Sequence, residues 1–246
     1  MRNFRMVLSY DGTRYQGWQR LGGSGETVQG KLETALTRLL EQPVEVHGSG
    51  RTDAGAHAAG QVAHFHADTD WPCRRLEAAL RRVLPGDIGL LALEEAPPRF
   101  HARLWAVGKT YRYRVWNSPR PNVFERRYVY QLPEPLDLAA MERAAADLVG
   151  THDFQAFCSN RPGKKSTVRT VTALTVERMG EEVRFTVTGD GFLYNMVRIL
   201  VGTLLEVGLH RRPADGMPAI LESRRRENAG ETAPARGLCL MEVYYR

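Results

Sequence analysis

Apolar residues along this chain change period repeatedly, and that pattern restricts the possible folds more than any other feature. Alternating, strand-like runs cover residues 3–10, 43–48, 60–67, 88–94, 107–116, 171–178, 182–188 and 238–244. Between them, Val28, Leu32, Ala35, Leu36, Leu39 and Leu40 recur at helical spacing behind a Thr27 cap. Leu76, Ala79, Leu80, Val83 and Leu84 do the same ahead of Pro85-Gly86, as do Leu138, Met141, Leu148 and Val149 behind Asp137. The cleanest stripe is Leu193, Met196, Val197, Leu200, Val201, Leu204 and Leu205, and a short helix follows Pro213. Helices are too few for strict β-α-β alternation. The pattern therefore predicts an α+β chain of two similar halves, with mainly antiparallel pairing, and not a doubly wound parallel sheet. Pro97-Pro98 marks the internal boundary, between an N-terminal domain over 1–104 and a C-terminal domain over 105–246.

Composition narrows the class of partner. Of 246 residues, 43% are hydrophobic and 25% charged, a globular balance that excludes a disordered or fibrous chain. Lys plus Arg number 34 against 28 for Asp plus Glu, and only Lys31, Lys109, Lys164 and Lys165 among those cations are lysines. Arginine grips phosphate bidentately and stacks on bases, so the excess is compatible with a polyanionic partner. Cys73, Cys158 and Cys239 lie far apart with no C-x-x-C, which predicts a reducing compartment and neither a zinc ribbon nor a disulfide scaffold. The N-terminus runs directly into a strand pattern, and Arg198 and Glu206 interrupt the most apolar late segment. These features predict a cytoplasmic protein with no membrane span.

Several familiar signatures are excluded by their flanks. Gly22-Gly23-Ser24-Gly25 lacks the Gly-Lys-Ser/Thr of a phosphate-binding loop, and Ser49 lacks the outer glycines of a nucleophile elbow. His64 and His66 share one strand face, but spacing marks out no third metal ligand, so that face is expected to meet solvent. The informative segment is G-S-G-R-T-D-A-G-A-H-A-A-G at 48–60, where small residues surround Arg51, Asp53 and His57. Small residues let a bulky ligand approach the backbone. An Asp beside an Arg is fit to act as a nucleophile or base, and equally fit to cap a turn. In K-T-Y-R-Y-R-V-W at 109–116, Lys109, Tyr111 and Tyr113 take one strand face and Arg112, Arg114 and Trp116 the other. That arrangement suits base stacking with phosphate contact, or plain core packing. In F-L-Y-N-M-V-R at 192–198, Tyr194, Arg198 and Gly202 share a helix face, with Gly202 open to close approach by another element.

Together these segments resemble the tRNA pseudouridine synthase A family. The likeness is carried by Y-D-G-T-x-Y-x-G-W-Q at 10–19, G-R-T-D-A-G at 50–55, F-H-A-R at 100–103, K-T-Y-R-Y at 109–113, H-D-F-x-x-F at 152–157, F-L-Y-N-M-V-R at 192–198 and A-P-A-x-G-L at 233–238. Ala56, where the family usually has Val, and Leu104-Trp105 depart from its pattern. The resemblance implies two ferredoxin-like α+β domains with an active-site cleft between them. It implies a homodimeric isomerase, without metal or other cofactor, that turns uridine into pseudouridine at positions 38, 39 and 40 of the tRNA anticodon stem-loop. By motif match, Asp53 is the catalytic carboxylate and Tyr111 stacks on the target base. Arg198 pairs with Asp53, and Arg51 is the adjacent cation. Two rivals use the same residues: a nucleoside or glycoside hydrolase built on Asp53, and a catalytically silent RNA-binding module. Arg74/Arg81 and Arg75/Arg82, stacked seven apart on the second helix, and Lys164-Lys165 are the candidates for holding the RNA backbone.

Overall fold

The computed structural model describes all residues except 23, 24, 161, 162, 164 and 165. The Gly23-Ser24 part of the early glycine-rich loop and the Lys164-Lys165 pair thus lie outside the described residues. The chain divides into two units, Met1–Val107 with Cys239–Arg246, and Gly108–Leu238. The first unit is therefore discontinuous, and the second is shorter at its C-terminal end than the domain expected over 105–246.

In the first unit, strand β1 (Arg2–Tyr10) buries alternate residues Phe4, Met6, Leu8 and Tyr10. Helix α1 (Val28–Leu40) opens as expected on Thr27, whose hydroxyl accepts the Gly30 N–H at 3.2 Å. Strand β2 is confined to Val46–Gly48, and β3 (His57–Ala67) starts three residues earlier than its apolar pattern. Helix α2 (Cys73–Val83) buries Leu76 and Leu80 and packs on β4 (Ile88–Ala96) and α1. The order is β4-β1-β3-β2 in antiparallel pairing, a β-α-β-β-α-β chain of ferredoxin-like type. Strand β10 (Leu238–Tyr245) joins β3 in parallel, with Cys239 opposite His57 and Leu240 opposite Ala58. β2 meets the other end of the same edge, at Phe65, His64 and Ala63.

The second unit is built on β5 (Ala106–Trp116), with the short β6 (Tyr130–Gln131) beside its end. Helix α3 (Leu138–Ala146) is capped by Asp137, whose carboxylate accepts the Ala140 N–H at 2.9 Å. Strands β7 (Gly150–Asp153), β8 (Val168–Met179) and β9 (Glu182–Gly189) complete the antiparallel order β5-β9-β8-β7. Helix α4 (Met196–Gly208) contacts α3 and is buried nearly all round, with only Arg198 and Glu206 partly exposed. Its apolar stripe begins at Leu193, yet the helix starts at Met196. Asn195 causes the delay by taking φ 61°, a left-handed conformation that Asn tolerates better than most residues. The short α5 (Met217–Ser223) follows. Among the described residues, no helix is long and apolar enough to cross a membrane.

The histidine face of β3 differs from its expected exposure. His66 is exposed, but His64 is buried at 2% exposure, because residues 97–105 fold over that face of the strand. Asn3 holds this cover by donating to the carbonyls of Pro97 and Phe100, both at 2.9 Å, and the Ala102 N–H donates to His64 Nδ1 at 3.2 Å. His64 rests against His47 and His101, with ring centroids 5.0 and 4.6 Å away. Among the described residues, no group of three or more His, Cys, Asp or Glu could hold a metal ion.

This packing makes stability depend on pH. Burial, then the neighbouring His101, His47 and His66, push the His64 imidazole down to about 4. The folded chain resists a proton that the unfolded chain accepts near 6.5, so stability is complete above that value and falls towards pH 4. Urea unfolding should show a loss of about 2 kcal/mol between pH 7 and pH 5 from this group. His64→Gln should remove that part of the pH dependence, and equal slopes in the two proteins would refute its source.

Candidate active site

The segment that carries Asp53 links the end of β2 to the start of β3, and its backbone is held from both sides. The Ser49 N–H donates to the Val62 carbonyl at 2.7 Å, tying the loop to β3. From residues 10–19, the Trp18 N–H donates to the Thr52 carbonyl at 3.0 Å, and the Gly55 N–H donates to the Tyr15 carbonyl at 3.3 Å. The Ala56 N–H closes a turn on the Asp53 carbonyl at 3.1 Å, with Gly55 inside it at φ 79°, where a side chain would be strained. A Cβ on Gly12 would stand 1.8 Å from the Ala56 oxygen. The Y-D-G-T-x-Y-x-G-W-Q motif is thus the cradle of the Asp53 loop. Spacing alone assigns it no such role, because the two segments are some forty residues apart.

The three strong polar groups of this segment go different ways. His57 is buried, and its Nδ1 accepts the Gly12 N–H at 3.0 Å, so it belongs to the cradle. Arg51 is exposed and donates from Nε to Gln19 Oε1 at 2.9 Å. Asp53 is half-buried. Backbone hydrogen bonds fix the loop, while Asp53 itself stays partly exposed. That combination suits a reacting group.

Tyr111 and Arg198 belong to the second unit. Tyr111 is 8% exposed on β5 and meets Phe192 edge to face, with centroids 5.2 Å apart. Arg198 donates from Nε to the Ala233 carbonyl at 2.7 Å and from Nη1 to Asn195 Oδ1 at 3.0 Å. Ala233 returns its N–H to the Arg198 carbonyl at 3.1 Å, while Gly230 and Glu231 donate to Thr203 Oγ1 and Glu206 Oε1. Residues 230–234 thereby lie along α4, and Gly202 makes this possible: a Cβ there would stand 1.8 Å from the Glu231 oxygen. The Tyr113 hydroxyl donates to the Pro234 carbonyl at 2.7 Å from the far side. A-P-A-x-G-L is the segment clamped between α4 and β5.

The strand's arginines divide as well. Arg114 grips both carboxylate oxygens of buried Glu182, at 2.8 and 2.7 Å, and Glu125 at 2.6 Å. Burial alone would raise the Glu182 carboxyl, but hydrogen bonds from Arg114 and Arg184 hold it down to about 2. Arg114 is thus engaged in the fold of this unit, whereas Arg112 makes one long contact, from Nε to Thr186 Oγ1 at 3.4 Å. An acidic partner more than sixty residues away in sequence leaves no local sign of this division.

Comparison with known proteins agrees with the motifs. The family described as tRNA pseudouridine synthase matches residues 6–103 and 144–246. The chain is 48% identical to the tRNA pseudouridine synthase A of Acetivibrio thermocellus over 245 residues, covering 100% of both. It is 48% identical to the protein of that name from Moorella thermoacetica over 242 residues, covering 98% of each. With Brevibacillus brevis the identity is 47% over 245 residues, again covering 100% of both. The matched stretches contain the Asp53 loop, its cradle and the clamped segment beside α4, and on these grounds the chain belongs to the tRNA pseudouridine synthase family, isomerases that convert uridine into pseudouridine.

Proposed function

We propose that this chain isomerises uridine to pseudouridine at positions 38, 39 and 40 of the tRNA anticodon stem-loop, with Asp53 as its catalytic carboxylate. The observation that carries the assignment is the half-buried Asp53 on a backbone-pinned loop, within a chain that aligns end to end with its named relatives. The reaction breaks the N1–C1′ bond, turns the uracil and joins C5 to C1′, and the proton lost from C5 is balanced by one gained at N1. A carboxylate serves it by stabilising positive charge at the sugar, by attacking C1′, or by taking the C2′ proton. Each route needs Asp53 ionised. Each also needs the uridine out of its stack, at a cost of about a few kcal/mol, which an aromatic face offsets. In this reading Tyr111 supplies that face, while Arg51 and Arg198 bind the substrate. The residues named need no metal or organic cofactor for this chemistry. The family resemblance supports a homodimer, and a tRNA substrate supports a cytoplasmic setting.

Asp53→Asn should keep melting temperature and tRNA affinity but lower pseudouridine formation by about 10³-fold or more, as read from nucleosides of digested tRNA. Release of free uracil by the unaltered enzyme would instead identify a hydrolase. At Tyr111, Phe keeps the ring and Leu removes it. Turnover should fall about tenfold further in Tyr111→Leu than in Tyr111→Phe. The reverse order would assign the role to the hydroxyl.

Backbone recognition is the remaining part. On α2, Arg81 is committed to Glu77 and the Leu90 and Leu91 carbonyls, and Arg75 lies 3.9 Å over the Trp71 ring. Arg74 and Arg82 are exposed on the same helix, which supports them as the groups that meet phosphate. Replacing both with Gln should weaken all substrate tRNAs alike and flatten log K against log[salt] by about 0.7–0.9 for each phosphate no longer neutralised. An unchanged slope would exclude this face.

A further inference from the structure

Beneath the Asp53 loop lies a buried polar side chain that the chemistry above does not use. Gln61, on β3, is fully buried and makes three hydrogen bonds. Its Oε1 accepts from the Ser49 hydroxyl at 2.7 Å, and its Nε2 donates to the Gly50 carbonyl at 2.9 Å and to the Tyr10 hydroxyl at 3.4 Å. The Tyr10 and Thr52 hydroxyls lie 2.8 Å apart. A carbonyl only accepts, so Gly50 fixes which end of the amide is nitrogen. The Ser49 hydroxyl must then donate to Oε1. Tyr10 accepts from the amide and shares its second hydrogen bond with the Thr52 hydroxyl, in which either oxygen can donate. Burial raises the Tyr10 phenol well above its usual range, so it stays a neutral hydroxyl.

One amide therefore reaches residues 49 and 50 directly and residue 52 through Tyr10. Those are three of the four residues that lead into Asp53. Ser49 has no exposed surface and Thr52 is 6% exposed, so water does not replace these bonds cheaply. We propose that Gln61 is the positioning residue for Asp53, setting the height and orientation of the loop through the amide's fixed donor–acceptor polarity. The proposal rests on Asp53 being the reacting carboxylate.

The test compares Gln61→Met and Gln61→Glu with Asp53→Asn, in the full-length chain acting on unmodified tRNA transcript. Gln61→Met keeps the volume without the polarity. Its kcat should fall about 10²-fold while KM stays within about threefold, since a displacement near 1 Å suffices for such a loss. Gln61→Glu turns a carboxylate towards the Gly50 carbonyl and should fall as far at pH 8. Between pH 8 and pH 6 it should regain about tenfold as the buried carboxyl takes up a proton and donates again, while the unaltered enzyme changes less than about threefold. A kcat near that of the unaltered enzyme in Gln61→Met overturns the proposal, as does a loss confined to KM. So does a Gln61→Glu pH profile parallel to the unaltered enzyme's. If thermal melting shows that neither variant folds, Gln61 serves folding and the proposal also fails. An active Asp53→Asn overturns the catalytic reading itself, whereas an inactive one beside an active Gln61→Met overturns the positioning role alone.

Discussion

The carbonyl oxygen of Ala56 occupies the space a side chain on residue 12 would need. That approach presses residues 10–19 against the Asp53 loop closely enough for backbone groups to meet backbone groups. A loop held by peptide N–H and C=O bonds keeps its shape when surface side chains change rotamer, and the side chains that also hold it, Gln61, Ser49 and Tyr10, are buried. A second missing Cβ serves the same approach: on Gly17, at φ +93°, it would stand 2.8 Å from the Thr52 oxygen. The same device recurs in the second unit. There Gly202 lets the Glu231 backbone settle on α4, and Arg198 is held in place by the segment that this contact admits.

Much of this was legible in the sequence, and the remainder was hidden for physical reasons. Helix caps at Thr27 and Asp137 could be read because capping is a local contest between one side chain and nearby amides. The Asp53 loop stood out because a run of small residues around an Arg and an Asp is unusual inside a folded chain. His64 was misjudged, since alternation identifies a strand face but not what later covers it. The grip of β10 on β3 left no trace at all, because pairing between residues 239 and 57 has no local period to announce it. His57 stood out with Arg51 and Asp53 only as a strong polar group among small residues, and the Gly12 N–H reveals it as part of the cradle.

The arginines show how far composition can mislead. A net charge of +6 invites the view that this is a surface built for polyanions. Yet Arg114, Arg184 and Arg212 are held by Glu182 and Glu206, and Arg81 spends two of its nitrogens on backbone carbonyls. Guanidinium, with five donors in a rigid plane, satisfies buried carboxylates and loop carbonyls that lysine could not serve. Part of the arginine excess is therefore architecture, and the fraction available to an RNA backbone is smaller than a count suggests.

The return of Cys239–Arg246 to the first unit has a consequence for how the molecule is made. On a ribosome, residues 1–107 emerge first, with β1, β3 and β4 able to pair and the part of β3's edge near His57 and Ala58 still vacant. The strand that fills it arrives only after residues 108–238 have been synthesised, a delay on the order of ten seconds at ordinary translation speeds. Throughout that interval, unpaired backbone at the root of the Asp53 loop is open to whatever extended peptide comes near. Nascent chains of this protein should therefore depend on chaperone cover just where the finished chain pins its Asp53 loop by backbone hydrogen bonds.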